Sequence, residues 1–193
     1  MEPTGPTAPS GQRRTFVLVD GENIDVTLGS SVLGRRPSPE ERPRWERVTD
    51  YAQSLWGQPV MGLFFLNASQ GNLPTPFIQA LLAMGYRPIP LSGGADEKVV
   101  DIGIQRTLDA LASRNDDVLL CSHDADFAPH MRALMENGRR VGVLGFREFA
   151  SMQLTGLGIP LYDLEDDVLA FNSPLPRVRI ISLDDFDPEY FLR

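Results

Sequence analysis

Seven residues in three short stretches are of the right type and spacing to handle phosphate chemistry. In Val19-Asp20-Gly21-Glu22-Asn23 a carboxylate and a carboxamide lie three apart across a glycine, and Lys98 precedes Asp101 by three residues. Ser122-His123-Asp124-Ala125-Asp126-Phe127 carries two more carboxylates and a hydroxyl. Asp20, Asp101, Asp124 and Asp126 in one crevice would repel one another by several kcal/mol or be forced to protonate, unless a divalent cation neutralised them. The donors are all oxygen, and with one cysteine and two histidines in the chain they favour Mg²⁺ or Mn²⁺ over zinc. Such a site, with one or two ions, would activate a water and stabilise an in-line phosphoryl transition state.

The elements around these stretches predict that they meet. Phe16 to Val19 is a short apolar run that stops at Asp20, and Val118 to Cys121 is another that stops just before Asp124. Both read as strands covered on both faces. Further strands are predicted at Val60 to Leu66, Tyr86 to Leu91, Val141 to Gly145 and 159 to 162. Helices are predicted from Pro43 to Leu55, from Thr75 to Met84, from Glu97 to Ser113 and from Phe127 to Asn137. Strand and helix alternate from 16 to 145, which argues for a three-layer α/β/α sandwich with a mainly parallel central sheet. In such a sheet the crevice beyond the carboxyl ends of the strands is where functional groups are exposed. Residues 1–14 hold three prolines and little to bury, and read as a flexible arm.

The ordered set Asp20-x-x-Asn23, Lys98-x-x-Asp101 and Ser122-x-Asp124-x-Asp126-Phe127, with a later Gly138-x-x-Val141, resembles the NYN domain family of PIN-like nucleases. The resemblance covers about residues 15 to 147. It implies a PIN-like sandwich, metal-dependent cleavage of RNA, and Asp20, Asp101, Asp124 and Asp126 as the catalytic, metal-binding acids. It also implies that Asn23 orients groups around the site, that Ser122 fixes the loop bearing Asp124 through its hydroxyl, and that Lys98 contacts phosphate or holds Asp101. Asp109, eight residues beyond Asp101, matches a further acidic position but reads as structural. His123 stands where a small residue is usual and is expected as a hydrogen-bonding surface group, while His130, within a helix, is expected to be structural.

The formal charge of −8 speaks against a nucleic-acid partner when taken alone. The charge is uneven, however: residues 1–147 carry 15 basic and 17 acidic side chains, and residues 148–193 carry 3 and 9. Arg35, Arg36, Arg42, Arg44 and Arg47 fall within 13 residues and are candidate RNA contacts. The body, residues 15–163, is expected to be the nuclease domain. Residues 164–193 are expected to form an acidic C-terminal extension, with a strand over Arg177 to Leu183 and a role in contacting a protein partner or moderating RNA binding. On that reading, deletion beyond about residue 163 would strengthen RNA binding. Trp45 and Trp56 are expected in the core.

The function expected is a metal-dependent ribonuclease, an endonuclease that hydrolyses RNA phosphodiesters. Two alternatives are a catalytically weak RNA-binding regulatory module and a phosphatase of the haloacid dehalogenase type. The phosphatase needs a second aspartate two residues after the nucleophile, where this chain has Glu22. No apolar run is long enough to cross a membrane, and the start of the chain does not read as a signal peptide. A lone cysteine allows no internal disulfide. A cytoplasmic protein is expected, and a homodimer is compatible with a domain of this size.

Overall fold

A computed structural model describes residues 11–193. Six strands form one all-parallel sheet: β1 (Thr15–Asp20), β2 (Val60–Asn67), β3 (Arg87–Leu91), β4 (Asp117–Cys121), β5 (Val141–Gly145) and β6 (Leu161–Asp163), in the spatial order β3-β2-β1-β4-β5-β6. The helices are α1 (Gly21–Val26), α2 (Trp45–Trp56), α3 (Thr75–Ala83), α4 (Val99–Leu111), α5 (Ala128–Glu136) and α6 (Met152–Thr155). A four-residue helix, α7 (Pro188–Phe191), lies near the C-terminus.

Period-two alternation decides which face each strand residue serves. Phe16 and Leu18 of β1, Leu63 and Phe65 of β2, and Val118 and Leu120 of β4 join α4, α5 and α6 in one core. Val17 and Val19, Phe64, Leu119 and Cys121 point to the other face and pack with α1, α2 and α3. With both faces covered the central strands are apolar throughout, as parallel sheets require. Leu18 is paired with Leu63 on one side and Leu120 on the other, so β1 lies at the centre of the sheet. The chain runs outward from β1 through β2 to β3, then crosses back to β4. The order therefore reverses between β1 and β4, which is where an open α/β sheet leaves a crevice at the carboxyl ends of its strands.

Several expectations change in detail. The stretch after Asp20, for which the sequence predicts no helix, forms α1 and a wide π-helical turn, Thr27–Leu33, stopped by Gly34 in the left-handed region at φ 71°. Trp45 is buried as expected, whereas Trp56 is half-buried beneath the guanidinium of Arg140, 5.2 Å from its ring centroid and within the reach of about 6 Å for such a contact. Most of the arm expected over 1–14 lies outside the described residues. Its last two residues are held, because Arg13 donates to the Asn115 carbonyl and the Arg14 amide to the Asp116 carboxylate.

No strand forms over Arg177 to Leu183: Val178 and Ile180 project into solvent, and the neighbouring edge strand β6 is only three residues long. The segment from Leu164 to Leu175 instead folds over the α2 side of the sheet, burying Leu164, Val168 and Ala170. Arg177 then closes it down. Its guanidinium is 3% exposed and bonds Asp163, Glu148 and Glu165, while lying 5.0 Å from the Phe146 ring centroid. Asp163 also accepts the amides of Arg147, Glu165 and Asp166, and these donors with the guanidinium hold its carboxyl well below the usual range despite its burial.

Candidate active site

The site begins where β1 runs out. Asp20 caps α1 by accepting the Asn23 amide (3.4 Å), the role for which a short carboxylate before a helix is favoured. Gly21 allows α1 to start directly against β2, because a Cβ there would lie 2.5 Å from the Phe64 ring. The second Asp20 oxygen accepts from the Ser122 hydroxyl at 3.0 Å. Asp20 is only 3% exposed. Burial pushes its carboxyl up to about 6; Ser122 and Asn23 oppose the rise, and the Asp101 and Asp124 charges add to it.

The loop after β4 is built from the same contacts. Ser122 Oγ, while donating to Asp20, accepts the Asp124 amide, and Asp124 in turn accepts the Asp126 amide at 2.9 Å, starting the short 3₁₀ turn Ala125–Phe127 that leads into α5. Asn23 Oδ1 accepts the His123 amide at 2.9 Å. Through these bonds Ser122 and Asn23 tie the Asp124 loop to the end of β1 and to α1.

His123 is buried rather than at the surface as expected. Its Nε2 accepts the Phe146 amide at 2.8 Å, which places the proton of the neutral ring on Nδ1, 3.3 Å from Thr27 Oγ1. Thr27 Oγ1 donates onward to the Asn23 carbonyl. Desolvation lowers the imidazole pKa to about 4. Gly145 makes room for the ring, since a Cβ there would meet Nε2 at 2.7 Å. His123 therefore ties the end of β5 to α1 and to the loop carrying Asp124.

Asp101 arrives from the first turn of α4. Carboxylate oxygens of Asp101, Asp124 and Asp126 lie within 4.8 Å of one another. Burial raises the pKa of Asp101, the Asp124 charge raises it further, and Lys98 one turn earlier opposes both. Asp20, Asn23, Lys98, Asp101 and Asp124 line one cavity of about 360 Å³, together with Glu22, Asn67 and Glu97, which sequence reasoning had not singled out. Asn67 left a signal: it is the polar residue that ends the apolar run of β2, at the same sheet edge as Asp20. The donors are oxygens with an excess of negative charge, so they fit a hard divalent cation. Asp109 lies apart, paired with His130 at 2.9 Å.

The arginine cluster is largely engaged within the chain. Arg35 makes a two-pronged bond to Glu41 and Arg42 another to Asp25. Arg44 donates to the Glu40 carbonyl, Arg47 is turned to Leu169, Phe171 and Asn172, and Arg36 is exposed. Arg42 and Arg44 nonetheless line a groove beside the acidic cavity.

A parallel sheet of this order, with helices on both faces and carboxylates gathered at its switch point, is an open α/β/α fold consistent with a PIN-like domain. The NYN domain model matches residues 14–155, and the chain belongs to that family, a PIN-like, nuclease-related one. A crystal structure of a protein of unknown function from Vibrio parahaemolyticus has the same fold, with a TM-score of 0.63 at 19% identity over 83% of this chain and 98% of that one. None of the curated proteins matches the chain. Among the described residues no helix is long and apolar enough to cross a membrane.

Proposed function

We propose that the protein is a divalent-cation-dependent endoribonuclease. The observation that carries this reading is the convergence of Asp101, Asp124 and Asp126 within 4.8 Å beside the buried Asp20, in a chain of a nuclease-related family. Asp101, Asp124 and Asp126 would hold Mg²⁺ or Mn²⁺, with Asp20 completing the negative charge from below. Held there, the cation would supply Lewis-acid polarisation of a phosphodiester and would lower the pKa of an attacking water. Ser122 and Asn23 fix the Asp124 loop against Asp20, so the carboxylates keep their spacing while substrate enters. Lys98, on the wall of the same cavity, binds a non-bridging phosphate oxygen.

A nucleophilic role for Asp20, as in a dehalogenase-type phosphatase, is not favoured. Both its oxygens already accept hydrogen bonds, and it is almost wholly buried. The test is cleavage of a labelled single-stranded RNA with Mn²⁺. The wild type cleaves it internally, and Asp101→Asn and Asp124→Asn lose activity together with Mn²⁺ affinity. RNA binding without cleavage at saturating Mn²⁺ would instead support a regulatory RNA-binding module.

A further inference from the structure

The acidic cavity continues sideways into a larger one. A groove of about 810 Å³ lies between α1, residues 39–46 and α3, and Glu22 and Asn67 line both spaces. Phe77 stands half-buried in its wall and packs edge-on against the buried Phe64 ring, with centroids 5.2 Å apart. On the opposite wall stands Arg44, whose Nε is buried and has no hydrogen-bond partner among the described residues. A mostly apolar groove with an aromatic side chain in its wall and a few hydrogen-bonding groups is the usual form of a site for a flat heterocycle.

We infer that this groove receives an unstacked base of a single-stranded RNA, from a nucleotide adjoining the phosphate held at the carboxylates. The inference rests on the ribonuclease reading and adds to it a base-binding subsite. Continuity is the first reason: a strand whose phosphate lies among Asp101, Asp124 and Lys98 meets the groove by passing Glu22 and Asn67. Chemistry is the second. Asn67 offers a donor and Glu22 an acceptor to the edge of a base, while the apolar lining around Phe77 takes its face. A paired base stays within its duplex and does not enter the groove, so the groove selects single strands.

The experiment uses the full chain and a fluorescein-labelled single-stranded 12-mer RNA, with Ca²⁺ in place of Mn²⁺, read by fluorescence anisotropy. Ala80 is exposed on α3 and lines the groove, so Ala80→Trp fills it from the rim. Gln79→Trp places the same side chain one position away, outside the groove. Ala80→Trp is expected to weaken binding by about tenfold or more, the scale of one lost base stack. Gln79→Trp binds as the wild type, and a blunt duplex of the same sequence binds the wild type less tightly than the single strand.

A strand containing 2-aminopurine gives a readout that needs no variant, because its emission changes when the base enters the groove of the wild type. Wild-type affinity in a folded Ala80→Trp, equal affinity for duplex, or unchanged 2-aminopurine emission would each overturn the inference. So would self-association lost in Ala80→Trp with RNA binding intact, which would assign the groove to a second copy. Failure of the ribonuclease reading is seen separately, as a strand that the wild type binds but does not cut with Mn²⁺.

Discussion

Asp20→Asn should make the cation-free protein more stable while destroying its activity. Burial raises the Asp20 carboxyl from 3.8 to about 6, so the folded protein binds a proton more tightly there than the unfolded chain does. The sign follows from linkage: stability attached to this group is fully present below 3.8 and is lost as pH rises through about 6. At about 1.36 kcal/mol per unit, the ionised Asp20 costs about 3 kcal/mol at pH 8.

Asparagine is neutral at every pH, and its amide can still accept from the Asn23 amide and donate to Ser122 Oγ. For a chain of this length about 3 kcal/mol corresponds to a rise in Tm of about 6 to 12 °C. The assay is thermal unfolding in EDTA from pH 5 to pH 8, wild type against Asp20→Asn. The advantage of the variant should shrink by about half at pH 5, where Asp20 of the folded wild type is mostly protonated. Added Mn²⁺ should raise the wild-type Tm more than that of the variant. An Asp20→Asn protein no more stable than the wild type at pH 8, or one whose advantage is the same at both pH values, would refute the reasoning.

His123 gives a dependence of the opposite sign. With its pKa lowered from 6.5 to about 4, its contribution is full above 6.5 and is lost as pH falls through 4, so His123→Gln should unfold in acid with about 3 kcal/mol less pH dependence, read by urea titration at pH 7 and pH 4. Arg177→Met leaves Asp163, Glu148 and Glu165 without their buried cation and should cost about 3 to 5 kcal/mol in urea unfolding, with Asp163→Asn in the same chain recovering part of the loss. Truncation after residue 163, expected from charge alone to strengthen RNA binding, removes Arg177 and should instead give a protein of low Tm. Truncation after residue 181 keeps that network, removes four carboxylates and Arg193, a net three negative charges, and should leave Tm within a few degrees while strengthening RNA binding at low salt, as measured by anisotropy.

The strands and main helices were legible because each is specified by its own run of apolar residues: Val17, Val19 and Leu18 declare a strand covered on both sides without reference to any other part of the chain. The candidate acids were legible for a related reason. Asp20 and Asp124 follow buried strands, and in a parallel sheet that is enough to put them at one edge. What escaped depends on partners distant in sequence. His123 reads as a loop histidine until Gly145 and the Phe146 amide close over it, and Asp20-Gly21 reads as a turn until Phe64 shows why a helix must start there without a Cβ. The five arginines between 35 and 47 read as a free basic patch because nothing local shows that Asp25 and Asn172 take up two of them. Arg177 likewise reads as the start of a strand, when its charge is what secures the final segment to Asp163.

The central claim, that Asp101, Asp124 and Asp126 hold the cation on which RNA cleavage depends, is tested most directly by a calorimetric titration with Mn²⁺ paired with cleavage of single-stranded RNA at each Mn²⁺ concentration. The account predicts that binding and cleavage rise together in the wild type and are both lost in Asp124→Asn. Cleavage that persists in EDTA, or in an Asp124→Asn protein that no longer binds Mn²⁺, would contradict it.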